Sequence, residues 1–446
     1  MGKAPQNQII GAVPINIKQG EKMETDKKKV VLAYSGGLDT SVAIKWIQEK
    51  YNMDVIALTI DLGTEKDLNP VVEKAVKTGA CKSMIIDAKE VFVYYFVFPA
   101  LQAGALYENA YPLATALGRP LIAKLLVDTA KAEGACAVAH GCTGKGNDQV
   151  RFDIAIHTLD PSLQIIAPLR EWNMTRKESM EYARMNEIPI DVSTQNPYSI
   201  DENIWGRSIE CGILEDPWVE PPEDIYKWTK NANDAPDKPT YIEIGFENGI
   251  PLTLNGQERG GINLINELNK IAGDNGIGRV DHIENRIVGI KSREIYESPA
   301  AIVLYKAHQA LEEIVMTKDT HRFKGMVSTH YSDMVYNGLW YSTFHQDLAA
   351  YILSNQRFVV GTVRLKLIKG NCIVVGRKSP LSLYDHSLAT YDTGDTFEHD
   401  AAIGFIKIYG LPTKTQAQIQ LKALKKGEVI PSIMPPKVAP TNVMEK

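Results

Sequence analysis

Seven consecutive residues, Ser35-Gly36-Gly37-Leu38-Asp39-Thr40-Ser41, combine two glycines, three hydroxyls and a carboxylate. Glycines let a backbone approach phosphate oxygens closely, and the hydroxyls of Ser35, Thr40 and Ser41 add donors. The stretch contains no lysine. A loop that escorts a transferred γ-phosphate places a lysine, then Ser or Thr, directly after its last glycine, so different phosphate chemistry is expected here. A second glycine-rich stretch, HGCTGKGNDQVRFD, spans residues 140–153. Its Lys145 has the wrong glycine spacing and no hydroxyl after it for that same role. Asn147, Asp148 and Arg151 could project polar groups into a ligand crevice. On the plainer reading, Asp148 and Arg151 form an i,i+3 surface pair at a helix start, worth about 0.2–0.5 kcal/mol.

Both loops need elements to aim them. Short β-branched runs alternate with helical patterns from Val30 onward, the grammar of parallel strands joined by crossover helices. Strands are expected at residues 30–34, 54–60, 83–87, 135–139 and 164–169. Helices are expected at 41–50, 69–79, 119–134 and 175–187, two of them closing on Gly79 and Gly134. The first loop then lies at the carboxyl end of the first strand and at a helix N-terminus, where open α/β sheets bind ligands and an anion meets unpaired N–H groups. The second loop has the same address on a later strand. This half, residues 30–190, reads as a doubly wound, Rossmann-like α/β nucleotide-binding domain.

After Asp191 the pattern changes. NPYSIDENIWG reads as turn-rich, residues 241–256 as a hairpin around Asn248-Gly249, and residues 358–378 as a second hairpin turning at Lys369 to Asn371. Residues 191–409 are therefore expected to form an α+β domain with antiparallel pairing. Residues 1–29, polar and ending in a charge run, read as a disordered leader. Residues 410–446 read as a tail with one helix-like stretch, TQAQIQLKALKKG, and a Pro-rich end that could embrace another subunit.

The 49 Lys and Arg against 54 Asp and Glu leave a net charge of −5. That balance provides no basic footprint for nucleic acid. The five cysteines form no Cys-x-x-Cys pair, which argues against zinc and a disulfide framework and fits a reducing cytoplasm. No apolar run has the length of a membrane span.

A lysine-free Ser-Gly-Gly-x-Asp-Thr-Ser loop after the first strand resembles the pyrophosphate loop of the N-type ATP pyrophosphatases (HUP fold), which cut ATP between the α and β phosphates. Longer blocks carry a closer likeness. HGCTGKGNDQVRF, ALYENAYPLATALGRP, NPYSIDENIWGRSIECGILEDPW, GIGRVDHIENRIVGIKSREIYESPA and GRKSPLSLYD resemble the argininosuccinate synthases. The resemblance runs from Val30 to about Tyr409 and implies an AMP-forming C–N ligase that condenses citrulline with aspartate through citrullyl-AMP. It implies ATP on Ala33, Tyr34, Ser35, Gly36, Gly37, Leu38, Asp39, Thr40 and Ser41, against Thr59 and Ile60 and beside Gly141. It implies citrulline on Tyr111, Thr115, Asn147, Arg151, Ser199, Ser208, Glu284 and Tyr296, and aspartate on Thr143, Asn147 and Asp148. Asp39, Asp148 and Arg151 are the residues it places closest to the chemistry, with Glu210 a further ammonium partner. Magnesium would arrive with ATP and lie near Asp39, without a protein-only metal site, and a homotetramer is expected.

Three positions depart from the family pattern. Thr64 stands where Gln is usual, Asp153 where Glu is usual, and Ala116 where some relatives carry Ser, which passes the citrulline hydroxyl contact to Thr115. Taken alone, several residues also have bland roles: Tyr111 and Tyr296 as core aromatics, Ser199 as a cap, Glu284 as a surface partner of Arg286, and His140 as a packed loop histidine. Two other functions remain open at this point. A tRNA-thiolating pyrophosphatase of the same fold would need a basic face and a reactive thiol, for which Cys142 is the candidate. A non-catalytic ATP sensor would carry degenerate loops, whereas Asp39, Asp148, Arg151 and Glu284 are all present.

Overall fold

In the computed structural model of the chain the described residues are 27–64, 67–172, 174–189, 197–392 and 394–421. Residues 1–26 of the expected leader, the 190/191 boundary and residues 422–446 lie outside them. Contacts divide the chain into two compact units, one ending at Leu383 and one beginning at Tyr384.

Five parallel strands form the first sheet: β1 (Lys29–Ala33), β2 (Asp54–Asp61), β3 (Lys82–Asp87), β4 (Ala137–Ala139) and β5 (Gln164–Ile166), in the order β3-β2-β1-β4-β5. β1 begins at Lys29, inside the expected leader. Strand β5 stops at Ile166, because Pro168 opens a short helix, Pro168–Glu171. The chain leaves β1 toward β2 on one side while β4 joins on the other. The crevice of this sheet therefore opens between the carboxyl ends of β1 and β4. Val30, Leu32, Val55 and Ala137 are fully buried beneath it.

The helices of this half follow the expected periodicity with shifted ends. Leu38–Tyr51 starts within the first glycine loop, and Gly79 and Gly134 close their helices at φ 115° and 64°. The helix expected from Arg119 begins earlier, at Ala114, after Leu113 at φ 64°, with Pro120 inside it. Residues 89–103 are helical with a π turn at Val93–Val97, although the run VFVYYFVF is β-branched and aromatic.

Two antiparallel sheets complete the first unit. One has five strands: β8 (Thr240–Glu247), β9 (Ile250–Leu254), β10 (Gln257–Glu258), β13 (Gly361–Ile368) and β14 (Asn371–Lys378). Its two hairpins turn where expected, at Asn248-Gly249 and Lys369-Gly370, with positive φ at all four residues. The other sheet has four strands in the order β11-β12-β7-β6: β6 (Ser199–Asn203), β7 (Gly206–Glu210), β11 (Arg279–Asn285) and β12 (Lys291–Glu297). The stretch read as turns around SIDEN is thus a β-hairpin with only Ile204 and Trp205 at its tip. Helices Pro299–Val315, Lys318–Tyr336 and Thr343–Gln356 pack with the five-stranded sheet into the largest apolar core.

The second unit contains helix His399–Tyr409 and the helical stretch after it. The change of unit at Tyr384 therefore comes well before the expected boundary at 410.

Candidate active site

The first loop sits where its composition requires. Gly36 has φ +78°, and a Cβ there would lie 2.9 Å from Val71 Cγ1, so only glycine fits. Gly37 is the N-cap of helix Leu38–Tyr51 and contributes no capping side chain, the arrangement that leaves leading N–H groups for an anion. Ser35 Oγ and Thr40 Oγ1 lie 3.2 Å apart and tie the turn together. Lys74, from helix Asn69–Thr78, donates to the Gly36 carbonyl at 2.8 Å. The loop thus has a lysine beside it from another element. A Cβ on Gly141 would meet Thr40 Cγ2 at 2.8 Å, so the two glycine loops touch.

One cavity of about 650 Å³ opens at this contact. Ala33, Tyr34, Ser35, Gly37, Thr40, Thr59, Ile60 and Gly141 form its nucleotide-loop end. Tyr111, Thr115, Asn147, Arg151, Ser199, Ser208, Glu284 and Tyr296 line it further on, with Thr143, Asp148 and Glu210. Thr115 faces the cavity while Ala116 is fully buried. Two expected ATP residues face elsewhere. The Leu38 side chain packs with Val42, Ala183 and Ile188, and the Ser41 hydroxyl is buried 3.0 Å from the Tyr34 hydroxyl. Only the backbone of these two could serve a nucleotide. Asp39 is exposed in the helix's first turn.

The four-stranded sheet explains the polar wall. Tyr296 pairs with Ser208, Asp201 with Ser208, and Glu284 with Ser292. Side chains alternate along a strand. Period two therefore puts Ser199 and Asp201, Ser208 and Glu210, Glu294 and Tyr296, and Glu284 on one face. The opposite face buries Ile209 and Ile295 with Leu214 and Ile225.

Hydrogen bonds fix the floor. The Tyr296 and Tyr336 hydroxyls donate to the two oxygens of Glu284 at 2.7 and 2.8 Å. Asn147 donates to the Tyr336 hydroxyl at 2.8 Å and accepts from Ile287 N at 2.9 Å. Arg151 donates from Nε to the Tyr336 carbonyl and from Nη1 to Asp148 Oδ1, both at 2.8 Å. Its Nη2 is buried and finds no hydrogen-bond partner among the described residues. Glu284, 3% exposed, is bonded to these phenols; the surface pairing with Arg286 is not formed. Tyr111 stacks on Tyr296 with ring centroids 4.2 Å apart, and its hydroxyl accepts from Thr115 N at 2.9 Å.

Asp148 and Arg151 do pair at i,i+3, but not on an open surface. Arg119 Nε donates to Asp148 Oδ2 at 2.8 Å and Arg119 Nη2 to Asp201 at 2.5 Å. Burial alone would raise the Asp148 carboxyl; the guanidinium groups of Arg119 and Arg151 overcome that and hold it down to about 2. Across the cavity the reverse occurs. Burial, then the nearby Glu210 and Glu284 carboxylates, push Glu294 up to about 8, against the pull of Arg286. Arg286 bridges Glu210 and Glu294. His140 is 1% exposed, receives Cys142 N at 3.3 Å on Nδ1 and lies 2.8 Å from Asp153 through Nε2. It is a packed loop histidine, as expected. Burial, followed by Asp148, raises the Cys142 thiol well above its ordinary range.

Sequence reading missed Arg119, Asp201, Arg286, Glu294 and Tyr336. The strand alternation S-x-D and S-x-E-x-Y was available for two of them, Asp201 and Glu294, had these strands been recognised; Arg286 lies just past the end of β11, and Arg119 and Tyr336 are helical residues with no local signal.

Comparison with known proteins bears on this geometry. The family model described as the arginosuccinate synthase N-terminal HUP domain matches residues 29–189, and that of the arginosuccinate synthase C-terminal domain matches residues 198–416. A curated argininosuccinate synthase of Dehalococcoides mccartyi is 59% identical over 393 residues, covering 88% of this chain and 97% of its own. Those of Dictyoglomus turgidum and Bacillus cytotoxicus are 58% and 56% identical, each over 90% of this chain and 99% and 100% of their own. Among solved structures, a U34-tRNA thiolase from Methanococcus maripaludis is similar over 40% of this chain and 63% of its own, at 19% identity and a TM-score of 0.26, too slight a likeness to bear on substrate. Two family matches that adjoin at the cavity, and relatives aligned across nearly their whole length, place this chain in the argininosuccinate synthase family.

Proposed function

We propose that the cavity takes ATP, citrulline and aspartate together and yields argininosuccinate, AMP and pyrophosphate through citrullyl-AMP. The observation that carries the reading is continuity. One cavity runs from the glycine loops to a floor of Glu284, Tyr296, Asn147 and Arg151, so a nucleotide α-phosphate and a ureido group can meet.

The ureido oxygen is a poor leaving group until it is adenylated. Its attack on the α-phosphorus forms the O–P bond and releases pyrophosphate into the Ser35–Thr40 turn. The aspartate amine then attacks the ureido carbon, and the C–O bond breaks to free AMP. Alignment of this kind lowers a barrier by about 7–11 kcal/mol. The buried, unpartnered Nη2 of Arg151 suits the citrulline carboxylate. Asp148, held ionised by two guanidinium groups, is an anchor for the aspartate ammonium and too weak a base to carry away its proton.

Among the described residues no group of three or more His, Cys, Asp or Glu could hold a metal ion alone. The single exposed carboxylate of Asp39 beside the loop fits an ion that phosphate oxygens already ligate. Magnesium bound there would neutralise charge as pyrophosphate departs.

Residues 30–190 serve in this reading as the nucleotide-binding domain and 191–409 as the synthetase domain, and both contribute residues to the amino-acid end of the cavity. Exposed Phe405, Ile406, Ile408 and Tyr409 support a homotetramer built through the tail; light scattering of the chain with and without residues after Gly410 tests it. Among the described residues no helix is long and apolar enough to cross a membrane, and a cytoplasmic location follows from the chemistry proposed. The decisive assay is AMP formation. It should require citrulline and aspartate together; ADP and orthophosphate, or AMP without amino acids, would overturn the reading.

A further inference from the structure

Tyr336 closes helix Lys318–Tyr336 and is fully buried. Three of the residues that line the amino-acid end of the cavity meet on it. Asn147 Oδ1 accepts from Ile287 N, which fixes the amide so that its NH2 faces Tyr336. The Tyr336 oxygen therefore accepts from Asn147, and its one hydrogen goes to Glu284 Oε1. The chain runs in one direction: amide to phenol to carboxylate. The Tyr336 carbonyl receives Arg151 Nε, and the Arg151 guanidinium carbon lies 4.8 Å from the centroid of the phenol ring. On its other side the ring stacks on Tyr107 with centroids 3.5 Å apart. Two residues on, Gly338 at φ +77° lets the backbone turn against Arg151, whose Cα would lie 2.7 Å from any Cβ there.

We propose that Tyr336 is a positioning residue for both amino-acid substrates, its hydroxyl setting the Asn147 amide and the Glu284 carboxylate as one unit. The inference rests on the proposed reaction. Asn147 is the residue that reading shares between citrulline and aspartate, and Glu284 belongs to citrulline, so one hydroxyl acts on both sites. The partners of its hydroxyl, Asn147 and Glu284, lie outside the Ser35–Ser41 turn. Burial, and after it the Glu284 carboxylate, raise the phenol far above its ordinary range, so the hydroxyl keeps its proton and the chain keeps its direction across working pH.

Tyr336→Phe removes that hydroxyl and leaves the ring stack, the guanidinium contact and the carbonyl. The expected result is a rise of about tenfold in KM for citrulline and at least about threefold for aspartate, the scale of one lost buried hydrogen bond, with KM for ATP within about twofold of wild type. Tyr107→Phe is the matched control. It deletes a hydroxyl from the same stack, one that donates to Asn285 O at 2.7 Å, and should leave all three KM values near wild type. If Tyr336→Phe left both amino-acid KM values unchanged, raised the ATP value equally, or behaved like Tyr107→Phe, the proposal would be overturned. Should it not fold, 3-fluorotyrosine at 336 keeps the shape and changes only hydroxyl acidity. A shift confined to the two amino-acid KM values supports the role, and no shift overturns it. Each result is a ratio to wild type, whose own dependence on the two amino acids tests the reaction separately.

Discussion

Glu297 is the next residue after Tyr296 and faces away from the cavity, with no exposure to solvent. Its Oε1 accepts from Trp228 N, Thr229 N and Thr229 Oγ1 at 2.8–2.9 Å; its Oε2 accepts from Arg207 Nη1 at 2.9 Å; and Lys227 N reaches both oxygens at 3.0–3.1 Å. Glu297→Gln keeps the shape and the Oε1 contacts but puts an NH2 where Oε2 was, facing Arg207. Arg207 is 5% exposed and among the described residues retains only Ile225 O at 2.7 Å and the Glu202 carboxylate at 3.5 Å. Breaking a buried ion pair from one side costs about 3–5 kcal/mol. For a cooperative unit of several hundred residues, size scaling gives about 1–2 °C per kcal/mol, so Tm should fall by about 3–10 °C. Adding Arg207→Met removes the facing donor, so the double variant should lose less than the sum of the singles. Differential scanning calorimetry of the four proteins checks this. A Tm within about 1 °C of wild type, or strict additivity, would refute the account. So would a collapse of citrulline KM at unchanged Tm, because it would put Glu297 in binding rather than in the support of Tyr296.

Asp39→Asn should lower kcat by about tenfold while moving the citrulline and aspartate KM by less than about threefold, since charge on the leaving pyrophosphate develops only as the bond breaks; equal loss in both parameters contradicts that role. Cys142→Ala should keep activity within about threefold, because a thiol held in its protonated form is no nucleophile; an inactive variant would bring back the thiolation reading. His345, 4% exposed between Tyr331 and Trp340, has its pKa lowered by burial to about 4, against a backbone bond to Trp340. The neutral ring is the folded form, so its contribution is intact above the ordinary histidine pKa near 6.5 and is lost as pH falls from there toward 4. That amounts to about 2 kcal/mol at pH 5. His345→Phe should lose less stability than wild type between pH 7.5 and 5, read by urea unfolding; parallel losses would show that His345 does not titrate on unfolding.

What the sequence disclosed was set by distance along the chain. The Ser35–Ser41 loop was legible because its demands are local: a positive φ at Gly36, a bare N-cap at Gly37, a strand before and a helix after. The hairpins at Asn248-Gly249 and Lys369-Gly370 were legible for the same reason. Errors arose where a local signal had two readings. Pro120 marks a helix start by preference, yet lies inside Ala114–Glu133, which the αL residue Leu113 begins. Asp-Glu-Asn before Ile204-Trp205 looks like turn chemistry, and hid the hairpin that carries Ser199, Asp201, Ser208 and Glu210.

The charges that tune the site were the least legible, and the reason is physical. Asp148 has a local partner in Arg151, but the larger pull on its carboxyl comes from Arg119, and Asp201 anchors that arginine from 82 residues further on. Glu294 and Glu284 acquire their setting from strands whose register sequence alone does not supply. Asn147 and Glu284 meet at Tyr336, 189 and 52 residues away. A motif records which groups touch substrate. The groups that hold those groups are chosen by how the four-stranded sheet and helix Lys318–Tyr336 converge, and a residue such as Tyr336 has no chemistry of its own to advertise. The eight residues that family likeness assigns to citrulline line one cavity. Their supports become visible only when hydrogen bonds are followed one step outward from the cavity wall, and that second step turns a set of polar side chains into a site with a defined charge on each wall.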